Sequence, residues 1–208
     1  VLAAWYATEL PDVEQAFNAT RRPTVTVLAA DGSQLTIIGD VYGRPTGLDK
    51  LPRALIQAVL ATEDRRFFSH FGLDVIGLAR AMKANLQAGR IVQGGSTITQ
   101  QVAKNFLLSS DQTMDRKIKE AILSLRMERA FTKDQILGLY LNEIYLGLGS
   151  YGVAAAALNY FDKALDQLTL DEMAYLAALP KAPANYHPIR RSDAARARRN
   201  WVLSQMVE

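Results

Sequence analysis

Glu63 and Asp64 stand side by side at the end of an apolar helical run, Leu55-Ile56-Gln57-Ala58-Val59-Leu60-Ala61, and are followed at once by Arg65, Arg66, Phe67, Phe68, His70, Phe71 and Gly72. A carboxylate in that place is pulled two ways. The end of a helix dipole and burial both disfavour its charge, whereas two neighbouring arginines favour it. Balanced between those effects, Glu63 has the make-up of a general base. The same Glu-Asp-Arg-Arg run also reads as an ordinary helix exit with a solvated ion pair, because structural ion pairs shift titration as well.

Three further stretches carry chemistry-bearing residues. Gly94-Gly95-Ser96-Thr97-Ile98-Thr99-Gln100-Gln101 places two glycines before a hydroxyl-rich helix start, whose free N–H groups would seat an anion. It is not a Walker loop: the spacing to Lys104 is wrong and the Gly-Lys-Ser/Thr ending is missing. Arg116-Lys117-Ile118-Lys119-Glu120 sets cations beside one carboxylate, an arrangement that a solvated helix face would also produce. Tyr140-Leu141-Asn142 is more often core packing than a site.

These residues need elements to hold them. Alternation in Thr24 to Leu28 and Leu35 to Ile38 around Asp31-Gly32 predicts a hairpin, and a turn cluster from Gly39 to Gly47 closes it. Pro52 opens the helix that runs to Glu63. Asp74 caps a helix over Val75 to Ala88 that Gly89 ends, and the Gly94-Gly95-Ser96 turn caps the next, to Leu108. Ser109 to Gln112 reads as a loop before a long helix reaching about Phe131. On that helix Ile118, Ala121, Ile122 and Leu125 make one apolar stripe, and Arg116, Glu120, Leu123 and Met127 cluster opposite, so Glu120 is expected to be partly buried. Helices follow over Lys133 to Tyr145, Val153 to Phe161, Leu170 to Leu179 behind a Thr169–Glu172 capping box, and from Ser192 onward. The architecture predicted is mainly α with an N-terminal hairpin.

Composition excludes several classes. A length of 208 residues suffices for one sizeable core, and 22% charged with 49% hydrophobic residues rules out disorder. The absence of cysteine removes disulfides, thiolate catalysis and Cys-ligated zinc together. A net charge of +3 suits an anionic lipid surface or phosphate but is too small to indicate nucleic acid. No apolar span is long enough to cross a bilayer, although Val1-Leu2-Ala3-Ala4-Trp5-Tyr6-Ala7 reads either as the tail of an apolar anchor ending in interfacial aromatics or as a short core segment.

Taken together and in order, the stretches resemble the signature motifs of the peptidoglycan glycosyltransferase family, the lipid II polymerases of bifunctional (class A) penicillin-binding proteins and of monofunctional transglycosylases. Glu63-Asp64-x-Arg66-Phe67-x-x-His70-x-Gly72 is similar to the first motif and Gly94 to Gln101 to the second. Arg116-Lys117-x-x-Glu120, Lys133-x-x-Ile136-Leu137-x-x-Tyr140-Leu141-Asn142 and Arg198-Arg199-x-x-Val202-Leu203 are similar to the remaining three. One departure stands out: Gln112 occupies a position where family members commonly carry an arginine, which puts one pyrophosphate contact in doubt.

The resemblance implies a bilobed, lysozyme-like fold with a small membrane-facing lobe. It implies a reaction on the extracytoplasmic, periplasmic face of the bacterial inner membrane, in which the 4-hydroxyl of a lipid II GlcNAc attacks a glycan linked to undecaprenyl diphosphate, with inversion. By the same resemblance Glu63 and Glu120 are catalytic, Glu63 as base. Asp64, Arg66, Phe67, His70, Gly94, Gly95, Ser96, Thr97, Thr99, Gln100, Gln101, Lys104, Arg116, Lys117 and Asn142 are substrate-binding. Within that set Lys104, Arg116 and Lys117 hold the diphosphate. No metal cage is visible and no cofactor is obligatory, while Mg²⁺ or Mn²⁺ on the diphosphate would leave only a weak sequence trace. Partners implied are lipid II, the nascent glycan, the membrane surface and a moenomycin-type inhibitor. Residues 1–22 are then the end of an anchor or linker, 23–48 a hairpin preface and 49–208 the glycosyltransferase domain, the preface pointing to a class A protein in which a transpeptidase domain follows. Two other classes stay open on the residues: a lysozyme-like hydrolase, which has no need of the cations between 104 and 117, and a non-catalytic membrane or partner-binding module, which has no need of Glu63 and Glu120 together.

Overall fold

The structure is a computed structural model that describes residues 10–16, 24–90, 94–108 and 113–207. The apolar opening at 1–7, the loop at 109–112 and Gln112 within it lie outside the described residues. Among those described, eight α-helices dominate: α1 (Arg53–Glu63), α2 (Val75–Ala88), α3 (Ile98–Leu107), α4 (Met114–Ala130), α5 (Lys133–Glu143), α6 (Val153–Phe161), α7 (Leu170–Ala178) and α8 (Ser192–Val207). The strands are β1 (Val25–Leu28), β2 (Gln34–Ile38), β3 (Val41–Tyr42) and β4 (Ser150–Tyr151). The fold is mainly helical.

The chain resolves into two compact units, one built from 1–19 and 63–140 and the other from 20–62 and 141–208. In the first unit the core gathers Phe67, Ala81, Ile98, Val102, Leu123, Met127, Ile136, Leu137 and Tyr140. Helices α3 and α4 pack on each other, and a short 3₁₀ turn, Val13–Ala16, lies against both with Val13 buried. Several helix ends have a local reason. Asp74 accepts from the Gly77 amide at the start of α2, and Gly89 stops that helix in the left-handed conformation with its N–H donating to the Leu86 carbonyl. The cap of α3 is Thr97 rather than Ser96. Thr97 Oγ1 accepts from the Gln100 amide at 3.1 Å while Gln100 Oε1 accepts from the Thr97 amide at 3.0 Å, a reciprocal pair in which the longer Gln100 side chain decides the start. On α4 the two stripes separate cleanly. Glu120, Leu123, Ser124, Met127 and Glu128 are buried, whereas Ile118 and Leu125 remain 43% and 36% exposed.

The second unit holds a two-stranded antiparallel pair, β1 with β2, and a parallel pair that sequence reasoning did not foresee, β3 with β4, in the register Val41–Ser150 and Tyr42–Tyr151. Close approach explains Gly43 beside that pair: a Cβ there would meet the Ala154 Cβ at 2.8 Å. Helix α5 stops at Glu143, short of the Tyr145 expected, because Tyr145 bridges to Tyr151 and the chain then turns through Gly147, Leu148 and Gly149, all at positive φ. Helix α7, behind its Thr169–Glu172 box, packs on α8, where Val202 is fully buried.

Candidate active site

The last residue of α1 is Glu63, partly buried, and its Oε2 accepts a hydrogen bond of 2.9 Å from Gln101 Nε2 on α3. The other end of that carboxamide is also held: Gln101 Oε1 accepts from the Tyr140 hydroxyl at 3.3 Å. Tyr140 is buried at the inner face of α5, and burial, followed by the charges of Glu63 and Asp64, raises its phenol well above the ordinary range. It therefore keeps its proton and serves as a donor.

Asp64 faces inward and is 6% exposed. Both its oxygens lie 3.0 Å from His70 Nε2, and Oδ2 also accepts from the Ile98 amide at 2.9 Å. The positive end of the α3 dipole is thus occupied by a carboxylate of the protein itself. At that helix start the amides of Thr97, Ile98 and Gln100 are taken by Gln100, Asp64 and Thr97 respectively, so these three are not free to seat an anion. Nearby, Arg66 Nε lies 3.4 Å from Asp74, and the Thr97 hydroxyl donates to the Gly72 carbonyl at 2.7 Å. Gly72 needs its missing side chain: at φ +79 a Cβ would sit 3.0 Å from the Ser124 carbonyl.

A second buried carboxylate, Glu128, joins three stretches of the first unit. Its Oε1 accepts from the Thr99 hydroxyl at 2.6 Å and from Lys133 Nζ at 2.7 Å, and Lys133 also stands 4.3 Å from the centre of the buried Phe67 ring. Sequence reasoning missed Glu128 and Tyr140 as parts of this network. The signals were present. Glu128 falls eight residues after Glu120, two helical turns along the same face, and a tyrosine on a core face must find a partner for its hydroxyl.

Glu120 is 2% exposed, with Lys117 Nζ donating to its Oε1. The same ammonium donates to Ser96 Oγ at 3.0 Å, although the Lys117 side chain stays 45% exposed. Lys104 is exposed, Gly94 opens to space, and Arg116 carries a buried Nε with no hydrogen-bond partner among the described residues. The structure therefore gathers Glu63 with Gln101, Asp64 with His70 and the start of α3, and Ser96 with Lys117 and Glu120. Phe67, Thr97, Thr99 and Gln100 lie buried beneath them. Asn142 is not among them. It belongs to the second unit, where its Oδ1 accepts from the Thr46 amide at 2.8 Å and its Nδ2 donates to the Thr46 carbonyl at 2.9 Å.

A family profile described as "Transglycosylase" matches residues 31–207. Penicillin-binding protein 1A of Escherichia coli (strain K12) is 48% identical over 200 residues, which are 96% of this chain and 24% of that protein. Penicillin-binding protein 1A of Aquifex aeolicus (strain VF5) is 50% identical over 199 residues, 96% of this chain and 27% of that protein. Among solved structures, the crystal structure of penicillin-binding protein 1A from Haemophilus influenzae matches with a TM-score of 0.52 at 30% identity, covering 90% of this chain and 18% of that one. The chain spans about a quarter of the length of the curated relatives it matches. With the profile spanning most of its length and relatives near half identical, the chain belongs to the transglycosylase family.

Proposed function

We propose that this chain polymerises lipid II into β-1,4-linked glycan strands. The 4-hydroxyl oxygen of the lipid II GlcNAc attacks C1 of the sugar at the reducing end of the growing glycan, and its proton passes to the Glu63 carboxylate. As the new C1–O bond forms, the C1–O bond to the diphosphate breaks, and undecaprenyl diphosphate leaves with the electron pair. Attack and departure on opposite faces of the sugar give inversion, and each face needs its own kind of group: a base on one, cations on the other.

The observation that carries this reading is the placement of Lys117. Its ammonium is held by the buried Glu120 and by Ser96 while the side chain as a whole remains about half exposed, which supports access for a diphosphate oxygen. A hydrolase of glycosidic bonds has no use for a tethered cation of that sort. Arg116 precedes Lys117 on α4 and Lys104 lies on α3, which packs against α4, and we read both as adding to the same charge. Asp64, His70, Thr97, Thr99 and Gln100 we read as supports: their side chains are spent on each other, on Gly72, on Glu128 and on the start of α3, which carries Ser96 just ahead of it and Gln101 in its first turn. A Mg²⁺ or Mn²⁺ ion would arrive on the diphosphate. Among the described residues no three His, Asp or Glu side chains gather to hold one, and the chain's own help to the leaving group is cationic.

A substrate hung from a long polyprenyl chain has to be met at the headgroup level. Among the described residues no helix is long and apolar enough to cross a membrane. Helix α2, however, exposes Val75, Ile76, Met82 and Leu86 together with Arg80 and Lys83, the composition of an interfacial surface. The test is incubation of the full-length protein and its Glu63→Gln variant with lipid II, followed by sizing of the products. Long glycan from the wild type and a rate lowered about 10²–10⁴-fold in the variant are expected. Shortened glycan, or a variant that keeps more than about a tenth of the rate, overturns the reading.

A further inference from the structure

The reading of Glu63 as the base leaves open what aims it. The Gln101 carboxamide bridges two groups of fixed character. An ionised carboxylate can only accept, so Gln101 must turn its Nε2 hydrogens to Glu63, at 2.9 Å. That leaves Oε1 facing Tyr140, whose hydroxyl donates to it at 3.3 Å. Both ends thus agree on one orientation of an amide that is otherwise nearly symmetric in shape. Tyr140 is 1% exposed and so touches no substrate. Its ring is buried, as are Ile136 and Leu137 on the same helix, which limits where the hydroxyl can be. The phenol, raised by burial and by the nearby charges of Glu63 and Asp64, stays protonated.

We infer that Tyr140 is a positioning residue for the transfer reaction: its hydroxyl locks the Gln101 carboxamide so that an N–H, never the carbonyl oxygen, meets the Glu63 carboxylate. Without that hydroxyl the amide is free to turn over. The flipped form sets a carbonyl oxygen against the carboxylate, which repels it and releases Glu63 from the orientation in which it can take the acceptor proton. In the native chain, donors run in one direction from phenol to amide to carboxylate, and each bond polarises the next.

The inference rests on the function proposed above, and its test separates the two. In the full-length protein, Tyr140→Phe removes one oxygen atom and keeps the ring. It is expected to lower kcat on lipid II about tenfold while leaving KM within about twofold, since a misaimed base costs turnover and not binding. In a Gln101→Leu background the same substitution should cost nothing further, because the amide through which it acts is gone. Equal losses in the two backgrounds, a loss confined to KM, or an unchanged kcat overturns the inference. The second readout needs no activity. The side-chain amide protons of Gln101, followed by ¹⁵N-edited NMR, should be shifted apart and exchange slowly in the wild type, and move towards free-amide values in Tyr140→Phe. Free-amide behaviour in the unmutated protein would overturn the inference without any variant, including the case in which the Phe variant does not fold. If Glu63→Gln proved active, the base assignment would fall, yet the Gln101 signals would still respond to Tyr140→Phe.

Discussion

Lys117 bonds Ser96 and Glu120 at once, and the two bonds have different worth. The bond to Glu120 keeps a carboxylate that is only 2% exposed from standing alone. Removing the ammonium, as in Lys117→Met, leaves that charge buried and unpaired, a loss that reaches 3–5 kcal/mol for fully buried pairs and here, with Lys117 near half exposed, comes to about 1–2 kcal/mol. The expected result is a lower melting temperature together with a 10²–10³-fold slower polymerisation, since the leaving diphosphate loses a cation. Adding Glu120→Gln should then restore the melting temperature and leave the rate low. Recovery of both in the double variant would mean that Lys117 serves folding alone; differential scanning calorimetry and product sizing on lipid II measure the two quantities.

At the scale of elements, the start of α3 is the piece on which most of the site hangs. Asp64 fixes its first amide, Thr97 and Gln100 cap it, and Thr99 ties it through Glu128 to Lys133 at the head of α5. Glu128→Leu removes the acceptor from a buried hydroxyl and from an ammonium at once, and is expected to cost about 3–5 kcal/mol of stability. Thr99→Val, which removes one donor, should cost about 1 kcal/mol. Urea denaturation with both variants checks the ratio, and equal costs would show that Lys133 finds other partners. Much of this was legible beforehand: Asp74, Gly89 and the Thr169–Glu172 box mark helix ends by rules of local chemistry, and the inward face of α4 follows from spacing. What stayed hidden depends on meetings between distant segments. That Asp64 and not a ligand fills the start of α3, that Glu128 meets Thr99, and that β3 pairs with β4 cannot be read from any window of neighbouring residues. Asn142 illustrates the difference: its motif marked it as important, and only the fold shows it gripping the backbone of Thr46.

For the whole molecule, the exposed stripe of α2 gives a test of membrane contact. Val75, Met82 and Leu86 fall on one helical face and are 73%, 60% and 78% exposed, while Leu78, 50% exposed, also lies against Gly95, whose missing Cβ would come within 2.7 Å of it. Val75→Ser with Met82→Ser should reduce binding to anionic vesicles on the order of tenfold, with unfolding shifted by less than about 0.5 kcal/mol. Undiminished sedimentation with vesicles would remove this face from the interface. Alkali tests the second unit. Tyr160 is pushed up to about 12 by burial and by Tyr145, and burial with the influence of Tyr160 raises Tyr175 too, against an ordinary phenol value of 10.0. Below about pH 10 neither state loses a phenol proton, and the full stability is present. Above it the unfolded chain releases protons that the folded one retains, so stability should fall steadily from about pH 10 through 12, as circular dichroism at increasing pH would show.

The grip of Asn142 on Thr46 joins backbone positions 96 residues apart. Were the intervening chain an open coil, closing that loop would cost about 4 kcal/mol in chain entropy, about twice the worth of the two hydrogen bonds that close it. Most of that stretch, from 63 to 140, belongs to a unit with a core of its own. Once α3 and α4 have condensed around Ile98, Leu123 and Met127, the same two ends are linked by a far shorter effective tether, and the clamp becomes favourable. Assembly is therefore expected to have a direction: the stretch from 63 to 140 forms early, and the segments on either side of it are drawn together afterwards.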